Sequence, residues 1–345
     1  MKAPVLPLTD ASTITSSVGI ALVGFGRWGA NHARAAGEAD GVRLVGVVEP
    51  EEGRRSFASA TYDIPCWTNI SEAFDHPDVE AVVVATPAST HTEVAQQALL
   101  SGRHVLVEKP AATARTEAQR LVDLAEASGL QLSAGHTFLY AQPVRNVAAW
   151  IRECAPSRPW VLRSERLGGR RRADCDVLWN LAPHDISLLL YLMDEPIIEV
   201  STRAHVFPGG KRWDTATIDL SFASGARGEI YVAWRHPGAK RSLRVLAEDW
   251  TLTYRHGRGS DYLNATRNDG RPLDRDVLFH GCGRDVRGEA AIGYPEPLRV
   301  ELEEFAKACR EMRPTVTGPE HLLAVTAVLA ACAQSAEGDG IPVRV

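Results

Sequence analysis

Lysine is scarce in this chain: of 38 basic residues only five are lysines (Lys2, Lys109, Lys211, Lys240 and Lys307). That bias reads as a genome rich in arginine codons, so a lysine kept at a strand end carries more information than usual. Paired cysteines are missing too. Cys66, Cys154, Cys175, Cys282, Cys309 and Cys332 are scattered, with no C-x-x-C and no His/Cys cluster at zinc spacing, so they read as reduced thiols and no metal is expected. No apolar run approaches the roughly 20 residues of a membrane span, and the opening "MKAPVLPLTDASTITSS" lacks the apolar centre of a secretory leader. The expectation is a cytoplasmic protein away from membranes, with a flexible tail over residues 1–17. Nor is there an excess of positive charge: a formal net charge of −5 gives no basic field to grip nucleic acid. Partners should be small molecules and other copies of the chain.

What is present fits two domains, since 345 residues are long for one compact core, and 45% hydrophobic with 23% charged residues is a globular composition. Over residues 18–136, short apolar runs ("GIALVG", "RLVGVVE", "VEAVVVAT", "HVLVEK", "LQLSAG") alternate with helical patterns, the signature of a doubly wound parallel sheet covered on both faces. Over residues 137–345 the character changes. After a helix at "PVRNVAAWIRE", strands from "WVLRSER" to "WTLTYRH" alternate apolar with polar residues, as in a mainly antiparallel sheet, and "ASGA" at 223–226 reads as a hairpin turn. Two helices close the chain, the first with an apolar stripe at 298, 302, 305, 306 and 309. The stretch from His256 to Asp276 reads as a loop over the cleft or at a subunit boundary. The fold class is α/β: a Rossmann domain followed by a second α/β domain.

"GFGRWG" supplies G-x-G-x-x-G through Gly24, Gly26 and Gly29, with Phe25, Arg27 and Trp28 between them. Such a match is weak alone, but this one follows the first strand and opens a helix. There the glycines make a tight turn, admit a pyrophosphate and let helix and sheet approach. Glu49 stands 20 residues after Gly29, at the end of the second strand, where a carboxylate accepts both adenosine ribose hydroxyls. It would repel a 2′-phosphate, which favours NAD over NADP, although Arg54 and Arg55 are close in sequence.

Two more strand ends carry "ATPASTH" (85–91) and "VEKPAAT" (107–113), and strand carboxyl ends in an open parallel sheet face the ligand crevice. Ala85, Thr86, Pro87, His91, Glu108 and Lys109 are therefore expected at the cofactor, the alternatives being that His91 binds substrate or caps its own helix's first turn and that Lys109 is a surface residue paired with Glu108. Oxidising a carbinol by hydride transfer requires a proton acceptor, worth about 10²–10⁴-fold when positioned. Lys109 and His184 are the candidates: burial and a cationic ring favour a neutral lysine, and Pro183, expected in a helix's first turn, places His184 where the positive helix end favours neutral imidazole. Asn180, four residues before His184, is expected either to orient it or to cap the helix. His136, Tyr140 and Arg163 are the further candidates for substrate contact, each with a structural alternative of packing between domains or facing a partner. His256, His280 and His321 read as surface or structural residues.

The glycine fingerprint, the "ATP" loop, "EKP" at 108–110, "GHTFLYAQPVR" at 135–145 and "VLWNLAPHDIS" together resemble the glucose–fructose oxidoreductase/inositol dehydrogenase/rhizopine-catabolism (Gfo/Idh/MocA) family over nearly the whole chain. "AWRHPGAKR" and "EPLRVELEEF" look more like its sugar, nucleotide-sugar and antibiotic-sugar branch. The resemblance implies a second domain on a large open sheet, whose exposed face makes homodimers or homotetramers. It also implies Lys109 beside the substrate hydroxyl and His184 as acid/base or positioning group. Many members carry aspartate where this chain has Asn180, so the carboxylate–histidine dyad is lost and Lys109 becomes the favoured base. The implied function is NAD-dependent hydride transfer between nicotinamide and a ring hydroxyl or ketone, at carbon 3, of a sugar, nucleotide sugar or aminoglycoside. The alternatives are an NADPH-dependent reductase of a nucleotide-linked ketosugar in deoxysugar biosynthesis, and a non-catalytic dinucleotide-binding protein.

Overall fold

The computed structural model describes residues 17–153, 155, 157–169, 171–256, 262–271 and 294–345. Residues 1–16 of the expected tail, His280, Cys154 and Cys282 lie outside the described residues.

In the N-terminal half, strands β1 (Val18–Val23), β2 (Val42–Val48), β3 (Cys66–Trp67), β4 (Ala81–Val84), β5 (His104–Glu108) and β6 (Leu132–Gly135) form one parallel sheet in the order β3-β2-β1-β4-β5-β6. Helices α1 (Arg27–Glu38), α2 (Glu52–Tyr62), α3 (Ile70–Phe74), α4 (His91–Leu100) and α5 (Arg115–Ser128) connect them. Strands β1 and β4 are buried along their whole length, which is why they read as unbroken apolar runs rather than alternating ones. The strand order reverses between β1 and β4, and that switch point is where such sheets bind ligands. The two-residue β3 and five-residue α3 gave no periodicity to read. Asn69 and Glu72 form a capping box that starts α3.

Helix α6 (Gln142–Glu153) leads to a sheet of eight strands: β7 (Pro159–Leu167), β8 (Ile197–His205), β9 (Thr215–Phe222), β10 (Arg227–Ala233), β11 (Lys240–Ala247), β12 (Trp250–Arg255), β13 (Tyr262–Arg267) and β14 (Val343–Arg344), ordered β13-β12-β11-β7-β10-β9-β8-β14. Only the central β7–β10 pair is parallel. Helix α7 (Val177–Met193) covers β7, β9 and β10, and α9 (Pro319–Glu337) covers β8. On β9 the consequence is plain: Ala216, Ile218, Leu220 and Phe222 are buried while Thr217 and Asp219 are exposed. The "ASGA" turn closes with the Phe222 N–H donating to the Ala226 carbonyl. Strand β13 corrects the reading of 256–276 as loop. Leu263 and Ala265 alternate inward, a pattern too short to stand out among glycine, asparagine and arginine.

Helix α8 (Pro297–Glu311) carries the expected stripe, but Leu298, Leu302, Phe305, Ala306 and Cys309 pack against Ile20, Leu22, Ala33 and Ala36 of the first domain. The chain thus returns to its N-terminal half before finishing on the second sheet. Its stripe gave no sign of which core it would join.

Candidate active site

The carboxyl ends of β1, β2, β4 and β5 open onto one cleft of about 670 Å3. One end is the glycine turn. Gly24 has φ +93°, and a Cβ on Gly29 would lie 2.0 Å from the Gly24 carbonyl oxygen, so only glycine lets α1 sit this close. Gly26 differs, because nothing lies within 4 Å of where its Cβ would be. Helix α1 starts with no side-chain cap and no acidic residue in its first turn, leaving its first N–H groups for an anion. Arg27 and Trp28 line this wall, whereas the Phe25 ring turns inward against Phe57 and Tyr62. Phe25 still contributes its backbone: its N–H donates to Glu49 Oε2 at 2.8 Å, and the Glu51 N–H donates to Glu49 Oε1 at 3.0 Å. Glu49 is held rigidly while keeping acceptor capacity for ribose hydroxyls. Arg54, on the same wall, has its Nη1 3.7 Å from Glu49. An anion seat at a helix start and a fixed acceptor beyond it fit a dinucleotide.

The other end is Lys109, joined to Pro110 by a cis peptide bond. Its ammonium does not pair with Glu108, which is buried and bonded to His32 at 2.8 Å. Instead Lys109 Nζ donates to the Asn180 carbonyl at 2.8 Å and reaches Asn180 Oδ1 at 3.4 Å. Burial pushes the lysine down to about 8; Glu108 opposes the shift, and Arg172 and Arg166 add to it. His91, expected at the cofactor, lines the cleft but spends both ring nitrogens on backbone, Nδ1 on the Pro110 carbonyl at 2.8 Å and Nε2 on the Thr86 carbonyl at 2.9 Å. It ties the loop after β4 to the loop after β5.

Helix α7 answers the question raised by Asn180. Asp176 caps the helix by accepting the Trp179 N–H at 3.1 Å, so Asn180 is not the cap, and Pro183 is an interior residue rather than part of the first turn. A proline there withholds the N–H that would bond the Trp179 carbonyl. Lys109 takes the next carbonyl along, that of Asn180. His184 therefore lies beyond the helix's positive end, and its imidazole is pushed well below the usual range by burial first, then by the charges of Lys109 and Arg166. Its ring stands edge-on to Phe138 at 5.3 Å, and its Nδ1 has no partner among the described residues. Asp185 is no substitute for the missing carboxylate: it is buried on Arg166 at 2.7 Å and Ser164 at 2.6 Å.

None of the remaining candidates for substrate contact, Tyr140, His136 and Arg163, lines the cleft. The Tyr140 hydroxyl is buried on Thr317 at 2.9 Å. His136 is buried edge-on to His321, at 5.5 Å between ring centroids, and does not line the cleft. His321 in turn bonds Ser187 at 2.8 Å, a structural role. Arg163 lies on the open face of the second sheet, paired with Glu229 at 2.5 Å, because an odd position on β7 points away from α7. Arg172 and Cys175, which no motif marked, do line the cleft beside Lys109. They sit on an irregular connection, where spacing carries no signal.

A Rossmann cleft that ends at a half-buried lysine, closed by a second domain on an eight-stranded sheet, defines a two-domain nicotinamide-dependent oxidoreductase. The chain belongs to the Gfo/Idh/MocA family: the signature described as an oxidoreductase family with an NAD-binding Rossmann fold matches residues 18–136, and that of the family's C-terminal domain matches residues 143–253. It is 26% identical over 301 residues to UDP-N-acetylglucosamine 3-dehydrogenase of Acidithiobacillus ferrooxidans, covering 85% of this chain and 89% of that one. Identity to 2,7-anhydro-N-acetylneuraminate hydratase of Mediterraneibacter gnavus is 32% over 306 residues, covering 81% and 80%. Among solved structures, GenD2 from gentamicin A biosynthesis, in complex with NAD, superposes with a TM-score of 0.81 at 25% identity, covering 98% of this chain and 99% of that one. Among the described residues, no helix is long and apolar enough to cross a membrane.

Proposed function

We propose that the protein is an NAD-dependent dehydrogenase that oxidises one ring hydroxyl, at carbon 3, of a sugar, nucleotide sugar or aminoglycoside, with Lys109 as the proton acceptor. One observation carries this reading: a single cleft runs from Gly26 and Glu49 to an amine pushed down to about 8. Bound NAD supplies the hydride acceptor. The chain does the rest: the α1 N-terminus and Gly26 seat the pyrophosphate, Glu49 takes the adenosine ribose, and Ala85, Thr86 and Pro87 form the wall toward the nicotinamide. Asn180 fixes Lys109 so that its amine, once neutral, takes the hydroxyl proton. His184 does not line the cleft, and its Nδ1, without a partner among the described residues, is what supports a role in holding a substrate hydroxyl. The open sheet face carrying Arg163, Glu165 and Lys240 suits contact with further copies of the chain in a dimer or tetramer.

Glu49 is the reason for ranking an NADPH-dependent ketosugar reductase second. The likeness to 2,7-anhydro-N-acetylneuraminate hydratase supports another reading, hydration of a sugar derivative.

The test is NADH or NADPH formation, followed by absorbance over free sugars, cyclitols, nucleotide sugars and aminoglycosides. Turnover with NAD on one class is expected, rising with pH through about 8 as Lys109 loses its proton. Lys109→Ala should lower kcat by about 10²–10⁴-fold while NADH still binds. Activity within a few-fold of wild type would remove the lysine from the proton-accepting role. A product differing by one water, formed without NADH, would favour the hydratase reading.

A further inference from the structure

Between β7 and α7, residues 171–176 form a connection that no motif explained. Arg172 grips Asp174 with two parallel bonds, Nε to Oδ1 at 2.8 Å and Nη2 to Oδ2 at 2.6 Å. Asp174 Oδ2 also accepts the Ala88 N–H at 3.4 Å, from the loop after β4. A second-domain segment is thus latched to a first-domain cofactor loop, and two residues later Asp176 starts the helix that carries Asn180. Arg172 lines the cleft with Lys109 and Asn180. Its neighbour Arg171 turns elsewhere, donating to the buried Asp214 through Nε at 2.7 Å, and does not line the cleft.

We propose that Arg172 is a positioning residue for the reaction: held by Asp174 and the Ala88 latch at the Lys109 end of the cleft, its permanent positive charge favours the lysine's neutral, proton-accepting amine. The other groups acting on Lys109 do not replace it. Glu108 on β5 favours the charged amine and is occupied by His32. Arg166 on β7 is buried against Asp185. The Cys175 thiol is pushed up to about 11 by burial and stays neutral. His136 and His184 are pushed toward their neutral forms by burial, and Asn180 on α7 offers only acceptors to the amine. Arg172 is part-exposed and its pairing with Asp174 offsets some of its field, so its share is smaller than that of burial. Its kinetic consequence rests on the reading of Lys109 as base; its effect on the amine does not.

With only five lysines in the chain, the amine can be read directly. The cofactor-free protein is pulsed with acetic anhydride across a pH series, and peptide mass spectrometry follows acetylation of Lys109, with Lys211 and Lys240 as internal references. Wild type should show a Lys109 midpoint near about 8. Arg172→Met should raise it by about half a pH unit or more, Arg172→Lys should restore it, and Arg171→Met should leave it in place. An unchanged midpoint in Arg172→Met, or an equal rise in Arg171→Met, overturns the proposal. If Lys109→Ala stays active while these shifts are seen, the base reading fails and the charge coupling stands.

Discussion

Glu301, on α8, has no exposed surface; one carboxyl oxygen accepts the Thr137 hydroxyl at 2.8 Å and the other has no partner among the described residues. Burial, with Glu108 adding to it, pushes this carboxyl well above the usual carboxylate range. A raised folded-state value means that its stabilising contribution is complete below the unfolded pKa and is lost as pH climbs toward the folded one, at ~1.4 kcal/mol per pH unit. Glu301→Gln should therefore gain on wild type as pH rises from mildly acidic to alkaline in chemical unfolding. Parallel pH dependences for the two proteins would mean that the buried carboxyl is ionised. At this scale the sequence marked Lys109 and Glu49, because strand ends have a fixed direction. Tyr140, His136 and Arg163 escaped it, since whether a polar side chain meets a cleft or a buried hydroxyl depends on what packs opposite. Glu301 escaped it as well: nothing in "PLRVELEEF" separates the buried glutamate from its part-exposed neighbours Glu303 and Glu304.

At the scale of elements, the glycine turn contains two kinds of glycine. Gly29→Ala drives a Cβ into the Gly24 carbonyl at 2.0 Å and should destabilise the first domain by ~1–3 kcal/mol. Gly26→Ala meets open space, so the melting temperature should hold while NADH binding weakens through lost approach to the pyrophosphate. Differential scanning fluorimetry and NADH titration separate the two; equal melting losses would contradict the turn geometry. The fingerprint was legible because strand, glycines and helix occur in one short span. Helix α7 was misread at its start: Asp176 and Asn180 both suit a cap, and only the packed helix shows that Asp176 holds that position and leaves Pro183 inside.

At the scale of the whole molecule, α8 is the strap between domains. Phe305 is 1% exposed within a first-domain core that, apart from α8, comes from residues before 107. Phe305→Ala should cost ~3–5 kcal/mol in urea unfolding, and it should weaken the cofactor domain although the substitution lies some 170 residues beyond its expected end. A loss below ~1 kcal/mol would show that the helix adds little to that core. By itself the sequence determined the two sheets, the cofactor fingerprint and the lysine at the strand end, because those depend on local periodicity and on the fixed geometry of strand, turn and helix. The tertiary structure alone decided which core α8 joins, that Lys109 rests on the Asn180 carbonyl, and that Arg172 stands beside it, because each joins residues far apart in the chain whose side-chain directions are set by packing rather than by spacing.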